Sequence, residues 1–236
     1  MLKKIRWYQI VRALMPIAYM LLLIEGVMSK NIIFMGVLMG STLLGGAWFC
    51  GWFCPFGFAQ EWIGKLGQLL RIPKIRIPLK AVRWLNLSRY ILLGLSMTGL
   101  AAVLLLQSPY ASFMGVVDRN MSYITQAAWV LMISFLTLSF IIDRPFCRFF
   151  CPEGARYGIV SLARLFTITR DETKCISCKK CDKACPSQIQ ISQHPDVRNA
   201  QCINCMECIA ACPVKRTLKF GWAFKKYAKM NSPQES

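Results

Sequence analysis

Two cysteine runs near the C-terminal end constrain this chain more than any other feature. The chain has twelve cysteines, and eight of them fall in these runs, separated by gaps of only two or three residues. The first run holds Cys175, Cys178, Cys181 and Cys185, and the second holds Cys202, Cys205, Cys208 and Cys212. Such spacing is typical of thiols that bind metal and not of a disulfide framework.

Each run has the spacing C-x2-C-x2-C-x3-C-P, which occurs in bacterial ferredoxins with two [4Fe-4S] clusters. In that pattern three closely spaced thiolates bind one cluster and the fourth crosses to the other. The spacing therefore predicts two ligand sets: Cys175, Cys178, Cys181 and Cys212 for one cluster, and Cys202, Cys205, Cys208 and Cys185 for the other. Zinc is the alternative, but zinc sites are usually built from two separated ligand pairs.

A second repeat lies outside these runs. Residues 49–57 and 146–154 both read F-C-x-x-F-C-P-x-G, at an offset of 97 residues. Cysteines four residues apart on a helical end point the same way, and a proline after the second cysteine turns the chain away. We expect Cys50, Cys54, Cys147 and Cys151 to form a further iron–sulfur or iron site, whose type the sequence does not give. A redox-active thiol pair and cysteines packed against aromatic side chains are the alternatives.

The remainder of the chain is unusually apolar, with a mean hydropathy of +0.41 and 55% hydrophobic residues. Four apolar segments lie at about residues 10–28, 32–49, 90–106 and 124–142, each near the length of about 20 residues that crosses a bilayer. The predicted fold is a mainly α integral membrane protein with four transmembrane helices in two repeated halves. A small C-terminal α+β two-cluster ferredoxin domain follows them, so we expect a membrane domain over residues 1–169 and a ferredoxin domain with a basic tail over 170–236.

The charge is strongly positive, with 29 Lys and Arg against 11 acidic residues and a net charge of +18. Nucleic acid is not the expected partner, because the cations lie between and beyond the apolar segments. Their distribution places both termini and the ferredoxin domain on the cytoplasmic side of a bacterial inner membrane by the positive-inside rule. Membrane lipids are then the expected surroundings. The single histidine, His194, leaves this chain unable to hold a bis-histidine haem alone.

Taken together, these motifs resemble those of the NapH-type membrane polyferredoxins, which are quinol dehydrogenase components. They are also similar to the accessory proteins of the NosR type and the assembly factors of the CcoG type. The resemblance implies that electrons pass between the quinone pool and other redox subunits of a respiratory complex, and whether the chain is itself an enzyme stays open. Two other functions are compatible with the sequence: a maturation factor that supplies electrons to a metalloenzyme, and a non-catalytic iron–sulfur sensor or scaffold.

Overall fold

The computed structural model describes residues 7–24, 32–98, 109–117 and 124–222. The longer helices are α1 (Trp7–Ile24), α2 (Ile32–Gly45), α4 (Pro55–Leu69), α5 (Leu79–Met97), α6 (Pro109–Val117), α7 (Gln126–Leu138) and α9 (Pro152–Val160). Four helices of five residues each are α3 (Trp48–Trp52), α8 (Pro145–Phe149), α10 (Lys180–Ala184) and α11 (Glu207–Ala211). Two 3-10 turns (Ser161–Ala163 and Ile191–Gln193) and two strands, β1 (Phe166–Arg170) and β2 (Leu218–Trp222), complete the described elements.

The predicted membrane architecture needs correction. Among the described residues, no helix combines the length and the apolar character required to cross a membrane. The prediction of four transmembrane helices is therefore wrong for this part of the chain. The multi-pass location in a bacterial inner membrane, with both termini and the ferredoxin domain cytoplasmic, depended on those helices and is wrong with it.

The reason lies in how the apolar segments divide into helices. The helices over the first, second and fourth predicted spans have 18, 14 and 13 residues, whereas a span needs about 20 mostly apolar ones. The helix α5, which overlaps the third span, has 19 residues but includes Lys80, Arg83 and Arg89. Residues 25–28 and 99–106 of the predicted spans lie outside the described residues.

The chain forms two compact units. The first comprises Met1–Met35 and Phe49–Arg156, and the second comprises Gly36–Trp48 and Tyr157–Ser236. We call them the pair unit and the run unit, because the first contains the two C-x-x-x-C pairs and the second contains the two cysteine runs. The domain boundary near residue 170 stays a prediction.

The pair unit has an aromatic core built around its cysteine motifs. Phe56, Met132 and Phe146 are buried together, and the ring centroids of Phe56 and Phe146 are 5.4 Å apart. Phe135 of α7 meets Phe146 at 5.3 Å. Since Phe56 and Phe146 each lie in or beside a cysteine motif, this packing fixes both motifs against one helix.

The run unit has a small sheet at its base. Strands β1 and β2 pair antiparallel, with Phe166 opposite Trp222 and Arg170 opposite Leu218. Alternation along β1 turns Ile168 inward, where it is 2% exposed. One buried apolar cluster of this unit comprises Ile168, Ile189, Ile191, Val197 and Leu218, together with Cys202 and Cys208. The hydrophobic core of the run unit therefore includes predicted ligands.

Candidate iron–sulfur centres

The two cysteine runs fold in the same way, residue by residue. In each run the residue before the second cysteine and the residue after it have positive φ: Ser177 (52°) and Lys179 (53°) in the first, Asn204 (48°) and Met206 (61°) in the second. Non-glycine residues seldom adopt this conformation, and it concentrates at functional sites. Backbone turns of this kind direct consecutive N–H groups to one side and form concave anion-binding sites, including those of iron–sulfur centres.

A short helix then carries the third cysteine of each run. Lys179 and Met206 are the N-cap residues of α10 and α11, and Cys185 and Cys212 end the helices in extended conformation, with ψ of 116° and 121°. The proline that follows each of these cysteines cannot continue a helix. The fourth cysteine of each run therefore leaves its own helix in an extended direction.

Two cavities result, and each combines cysteines from both runs. We call them the inner and the outer cavity. Their empty space, which includes some open solvent, is about 320 Å³ for the inner and about 360 Å³ for the outer cavity. The cysteines that line the inner cavity are Cys185, Cys202, Cys205 and Cys208. Those that line the outer cavity are Cys175, Cys178, Cys181 and Cys212. These are the two predicted ligand sets, three thiols from one run and one from the other, and their role as ligands stays a proposal.

The two cavities differ in exposure. Cys202, Cys205 and Cys208 are 7%, 9% and 4% exposed, and the other walls of the inner cavity are mostly apolar. In the outer cavity Cys178 is exposed, and Lys179 lines the wall. The thiols of the inner site are therefore buried more deeply than Cys178 of the outer site.

The electrostatics of the thiols fit a positively charged occupant. Burial and the neighbouring Cys205 and Cys202 raise the pKa of Cys185 to about 12. The same causes raise the pKa of Cys208 well above its usual range. Several thiolates in one apolar cavity are unfavourable unless a cation compensates them, and iron supplies that compensation when it binds.

In the outer cavity the pKa shifts are mixed. Burial and the adjacent Asp182 raise the pKa of Cys181 to about 11. The pKa of Cys175 is lowered, chiefly by the backbone N–H of Ser177 and then by Arg170. The Ser177 N–H belongs to the positive-φ turn described above, so the turn stabilises a thiolate at this position.

Four thiols line each cavity of the run unit. Within the described residues, no three cysteine, histidine or acidic side chains converge closely enough to hold one metal ion. In a [4Fe-4S] cluster each thiolate binds a different iron, so four thiols distributed around a cavity match its requirement. His194 is exposed and lies outside both cavity walls.

The C-x-x-x-C pairs of the pair unit also repeat each other closely. The N–H groups of Phe53 and Cys54 donate to Phe49 O at 2.9 Å each, and those of Phe150 and Cys151 donate to Phe146 O at 2.9 and 3.0 Å. The glycine of each motif donates its N–H to the second cysteine, Gly57 to Cys54 Sγ at 3.4 Å and Gly154 to Cys151 Sγ at 3.3 Å. The sequence repeat is thus a repeat of local geometry.

The four thiols of these pairs influence one another. Burial, the neighbouring Cys54 and Glu153 raise the pKa of Cys151 to about 12. Burial raises the pKa of Cys50, and Cys54 and Cys151 raise it further. Burial also raises the pKa of Cys147 well above its usual range, and Cys54, Cys151 and Cys50 raise it further. The two pairs therefore act on each other electrostatically, and aromatic side chains pack against them. A shared metal site at these four cysteines stays a prediction.

Three arginines that the cysteine motifs do not indicate donate hydrogen bonds to the backbone of these pairs. Arg144 donates to the carbonyl oxygen of Cys50 at 2.7 Å, and Arg89 donates to that of Gly154 at 2.6 Å. Arg12 donates Nε to the carbonyl oxygen of Gly51 at 2.9 Å. The available signal was arginine within or next to apolar segments, since arginine is seldom buried without a partner.

Two cysteine-lined cavities in one unit and a duplicated cysteine pair in the other define an iron–sulfur protein of the ferredoxin type. Family profiles agree: residues 31–73 and 124–168 match the "4Fe-4S binding domain" family, and residues 167–219 match the "4Fe-4S dicluster domain" family. Each of the first two matches contains one C-x-x-x-C pair, and the third contains both runs. No solved structure matches the chain.

The chain belongs to the family of ferredoxin-type iron–sulfur electron-transfer proteins that includes NapH. It is 35% identical to the putative electron transport protein YccM of Escherichia coli K12, over 73% of this chain and 50% of that protein. It is 34% identical to the uncharacterized protein MJ0750 of Methanocaldococcus jannaschii, over 86% and 84%. The ferredoxin-type protein NapH of Haemophilus influenzae is 28% identical, over 65% and 52%. The chain spans about half the length of YccM and NapH, and the predicted resemblance to NapH-type proteins is confirmed.

Proposed function

We propose that this chain carries electrons between two redox partners through two [4Fe-4S] clusters, one in each cavity of the run unit. The outer cluster is held by Cys175, Cys178, Cys181 and Cys212. The inner cluster is held by Cys202, Cys205, Cys208 and Cys185. The observation that carries the proposal is the composition of the cavities, since three thiols of one run meet the fourth thiol of the other in both.

The protein groups have defined tasks in this function. When bound, an iron–sulfur cluster takes up or releases single electrons with no bond made to a substrate. The thiolates hold the cluster, and the N–H groups of the positive-φ turns stabilise the net negative charge of the cluster together with its four thiolates. Ile168, Ile189 and Val197 line the inner cavity and limit the access of water, which influences the potential.

The outer cavity is the proposed point of contact with a redox partner. Ile176 is 65% exposed beside it, and Cys178, Lys179 and Lys180 are exposed as well. An apolar centre with cationic neighbours favours a partner with an acidic surface, because complementary charge accelerates encounter. Another redox subunit of this kind can exchange electrons with the outer cluster at short range.

The C-x-x-x-C pairs supply the second part of the proposal. We assign to Cys50, Cys54, Cys147 and Cys151 a further iron–sulfur or iron site, supported by their matched geometry and by the mutual effect on their pKa values. A quinol is the proposed electron donor. Quinol oxidation releases two electrons and two protons, and several one-electron centres in one chain can accept the electrons singly.

The test is iron and acid-labile sulfide analysis with EPR of the dithionite-reduced protein. We expect Cys205→Ser to change the EPR signal of one cluster and Cys178→Ser that of the other, while Gln193→Ala, at an exposed position, changes neither. A loss of the same signal in both cysteine variants contradicts the assignment of ligands.

The double variant Cys50→Ser with Cys147→Ser tests the pair site. Its iron content should fall below that of the native chain, whereas Ser134→Ala, an exposed serine bonded only within its own helix, should keep it. An unchanged iron content in the double variant removes the pair site from the proposal. Anaerobic addition of a quinol analogue to the oxidised protein should then produce the reduced EPR signals, and no reduction with any analogue excludes quinol as the donor.

A further inference from the structure

Arg164 is a fully buried cation in the run unit that the proposed function leaves without a role. Its relative exposure is 0%. The Asp196 carboxylate makes the smallest of the electrostatic contributions at its guanidinium, and Asp196 itself forms an ion pair with Arg198 at 3.6 Å. Burial of an unpaired charge is costly, so a buried arginine is expected to have an anionic neighbour.

The fold holds the Arg164 side chain in a defined position. Its Nη2 donates to the carbonyl oxygen of Val197, which also accepts a hydrogen bond from Thr167 Oγ1 at 2.8 Å. Gly46, with φ of 74°, makes room for the guanidinium, because a Cβ at that residue would lie 2.7 Å from Nη1. Two nitrogens, Nε and Nη1, have no hydrogen-bond partner among the described residues.

The largest favourable electrostatic effect on Arg164 comes from a predicted cluster ligand. Arg164 interacts with the side chain of Cys202, whose thiolate raises the pKa of the arginine against the stronger lowering effect of burial. Cys202 is 7% exposed and lines the inner cavity. The positive charge therefore lies against the inner site in an environment that water does not screen.

We propose that the guanidinium of Arg164 raises the reduction potential of the inner [4Fe-4S] cluster; this inference rests on the proposed function of the run unit. Reduction adds one electron and no proton, so the cluster and its thiolates become more negative by one unit of charge. A fixed cation nearby stabilises the reduced form more than the oxidised form. Hydrogen bonds to ligand sulfurs and burial act on iron–sulfur potentials in the same manner.

The outer cavity offers the matched comparison. Arg170 stands near Cys175, the first cysteine of its run, as Arg164 stands near Cys202 in the other. Arg170, however, forms an ion pair with Glu172 at 3.2 Å and donates Nε to the carbonyl oxygen of His194 at 3.1 Å. Its charge is already balanced by a carboxylate, so its effect on the outer cluster should be smaller.

The experiment is an EPR-monitored redox titration of the reconstituted full chain, preceded by iron and sulfide analysis. The variants are Arg164→Gln, Arg164→Lys and the control Arg170→Gln, and a Cys178→Ala variant identifies the outer signal. We expect Arg164→Gln to lower the equilibrium constant for reduction of the inner cluster at least tenfold, which corresponds to 59 mV for a one-electron couple. Arg164→Lys keeps the charge and should restore most of this loss. Arg170→Gln should change the outer cluster by less than threefold.

A second variant tests the proposal even if Arg164→Gln fails to fold. Gly46→Ala keeps every charge but displaces the guanidinium, and it should lower the potential of the inner cluster alone. Equal potentials in native, Arg164→Gln and Gly46→Ala protein overturn the proposal, and so does a loss in Arg164→Lys as large as in Arg164→Gln. Absence of iron and sulfide from the native chain instead refutes the proposed function, so the two failures are distinguishable.

Discussion

Replacement of Glu61 by glutamine should strongly destabilise the pair unit, because Glu61 is the shared partner of two buried arginines. The Glu61 carboxylate forms ion pairs with Arg12 and, at 2.5 Å, with Arg144. The side chains of Glu61, Arg12 and Arg144 are only 18%, 7% and 6% exposed. Glutamine removes the negative charge that both buried cations contact.

The size of the effect follows from two independent routes. Burial by itself raises the pKa of Glu61, but Arg144, Arg12 and Lys65 outweigh it and lower the pKa from its ordinary 4.5 to about 2. At 1.36 kcal/mol per pKa unit this shift corresponds to about 3 kcal/mol of stability at neutral pH. Loss of one partner from a buried ion pair typically costs about 3–5 kcal/mol, in agreement with the first value.

The pH dependence has a definite sign. Because folding lowers the pKa of Glu61, the folded state favours the ionised form, and its contribution is fully present above pH 4.5. The contribution is lost as the pH falls from 4.5 towards 2. The native chain should therefore lose stability over this interval more steeply than Glu61→Gln, since the variant has no carboxylate to protonate.

Urea unfolding followed by tryptophan fluorescence measures both effects. Lys65→Gln is the matched control, because Lys65 pairs with the same carboxylate at 2.9 Å but is 56% exposed, and exposed pairs contribute about 0–1 kcal/mol. We expect a loss of about 3 kcal/mol for Glu61→Gln and at most about 0.5 kcal/mol for the control. Similar losses in the two variants, or parallel pH profiles for Glu61→Gln and the native chain, refute the reasoning.

Two further outcomes test packing and exposure. Gly67→Ala should lower the free energy of unfolding by about 1–3 kcal/mol, because its Cβ would lie 2.9 Å from the carbonyl oxygen of Phe140. Gly94→Ala in α5 has open space around its Cβ and should raise the free energy of unfolding by up to about 1 kcal/mol through helix propensity. Urea unfolding of both variants measures these changes, and equal effects would contradict the packing at Gly67. In iron-free protein, Cys178 should react with a thiol reagent well before Cys205, because Cys178 is exposed and Cys205 is only 9% exposed. Mass spectrometry of partly labelled protein measures the order of reaction, and the reverse order would contradict the cavity assignment.

The grouping of the cysteines around the two cavities follows from local sequence for a physical reason, and their role as ligands stays a prediction. Ligand spacing is a local property, and the geometry of three thiols within seven residues is set almost entirely by the backbone between them. The crossing of Cys185 and Cys212 between cavities is longer in range, yet a proline directly after each cysteine limits the direction of the chain. Local sequence thus carried most of the information about the cavities of the run unit.

Hydropathy was a poorer guide to the helices. A hydropathy average over a long window does not show where a helix ends. The predicted span continued to residue 142, whereas α7 ends at Leu138. The ends of such helices depend on tertiary contacts as well as composition: just beyond α7, the carbonyl oxygen of Ile141 accepts a hydrogen bond from the N–H of Ile75 at 2.9 Å. Contacts of this kind are absent from any window of sequence.

The buried charges were the least predictable part, and they bear on how the duplicated centres differ. Duplication gives equivalent thiols, but the side chains around them have diverged: position 56 is a buried phenylalanine, and the corresponding Glu153 pairs with Arg156 at 3.2 Å. In the run unit, the buried Arg164 interacts most strongly with the Cys202 thiol, while Arg170 forms an ion pair with Glu172. Identical centres in identical surroundings have equal potentials and give an electron no preferred location. In the proposed function, the repeated backbone supplies equivalent binding sites, and the unequal charges beside them supply the difference in potential that directed transfer requires.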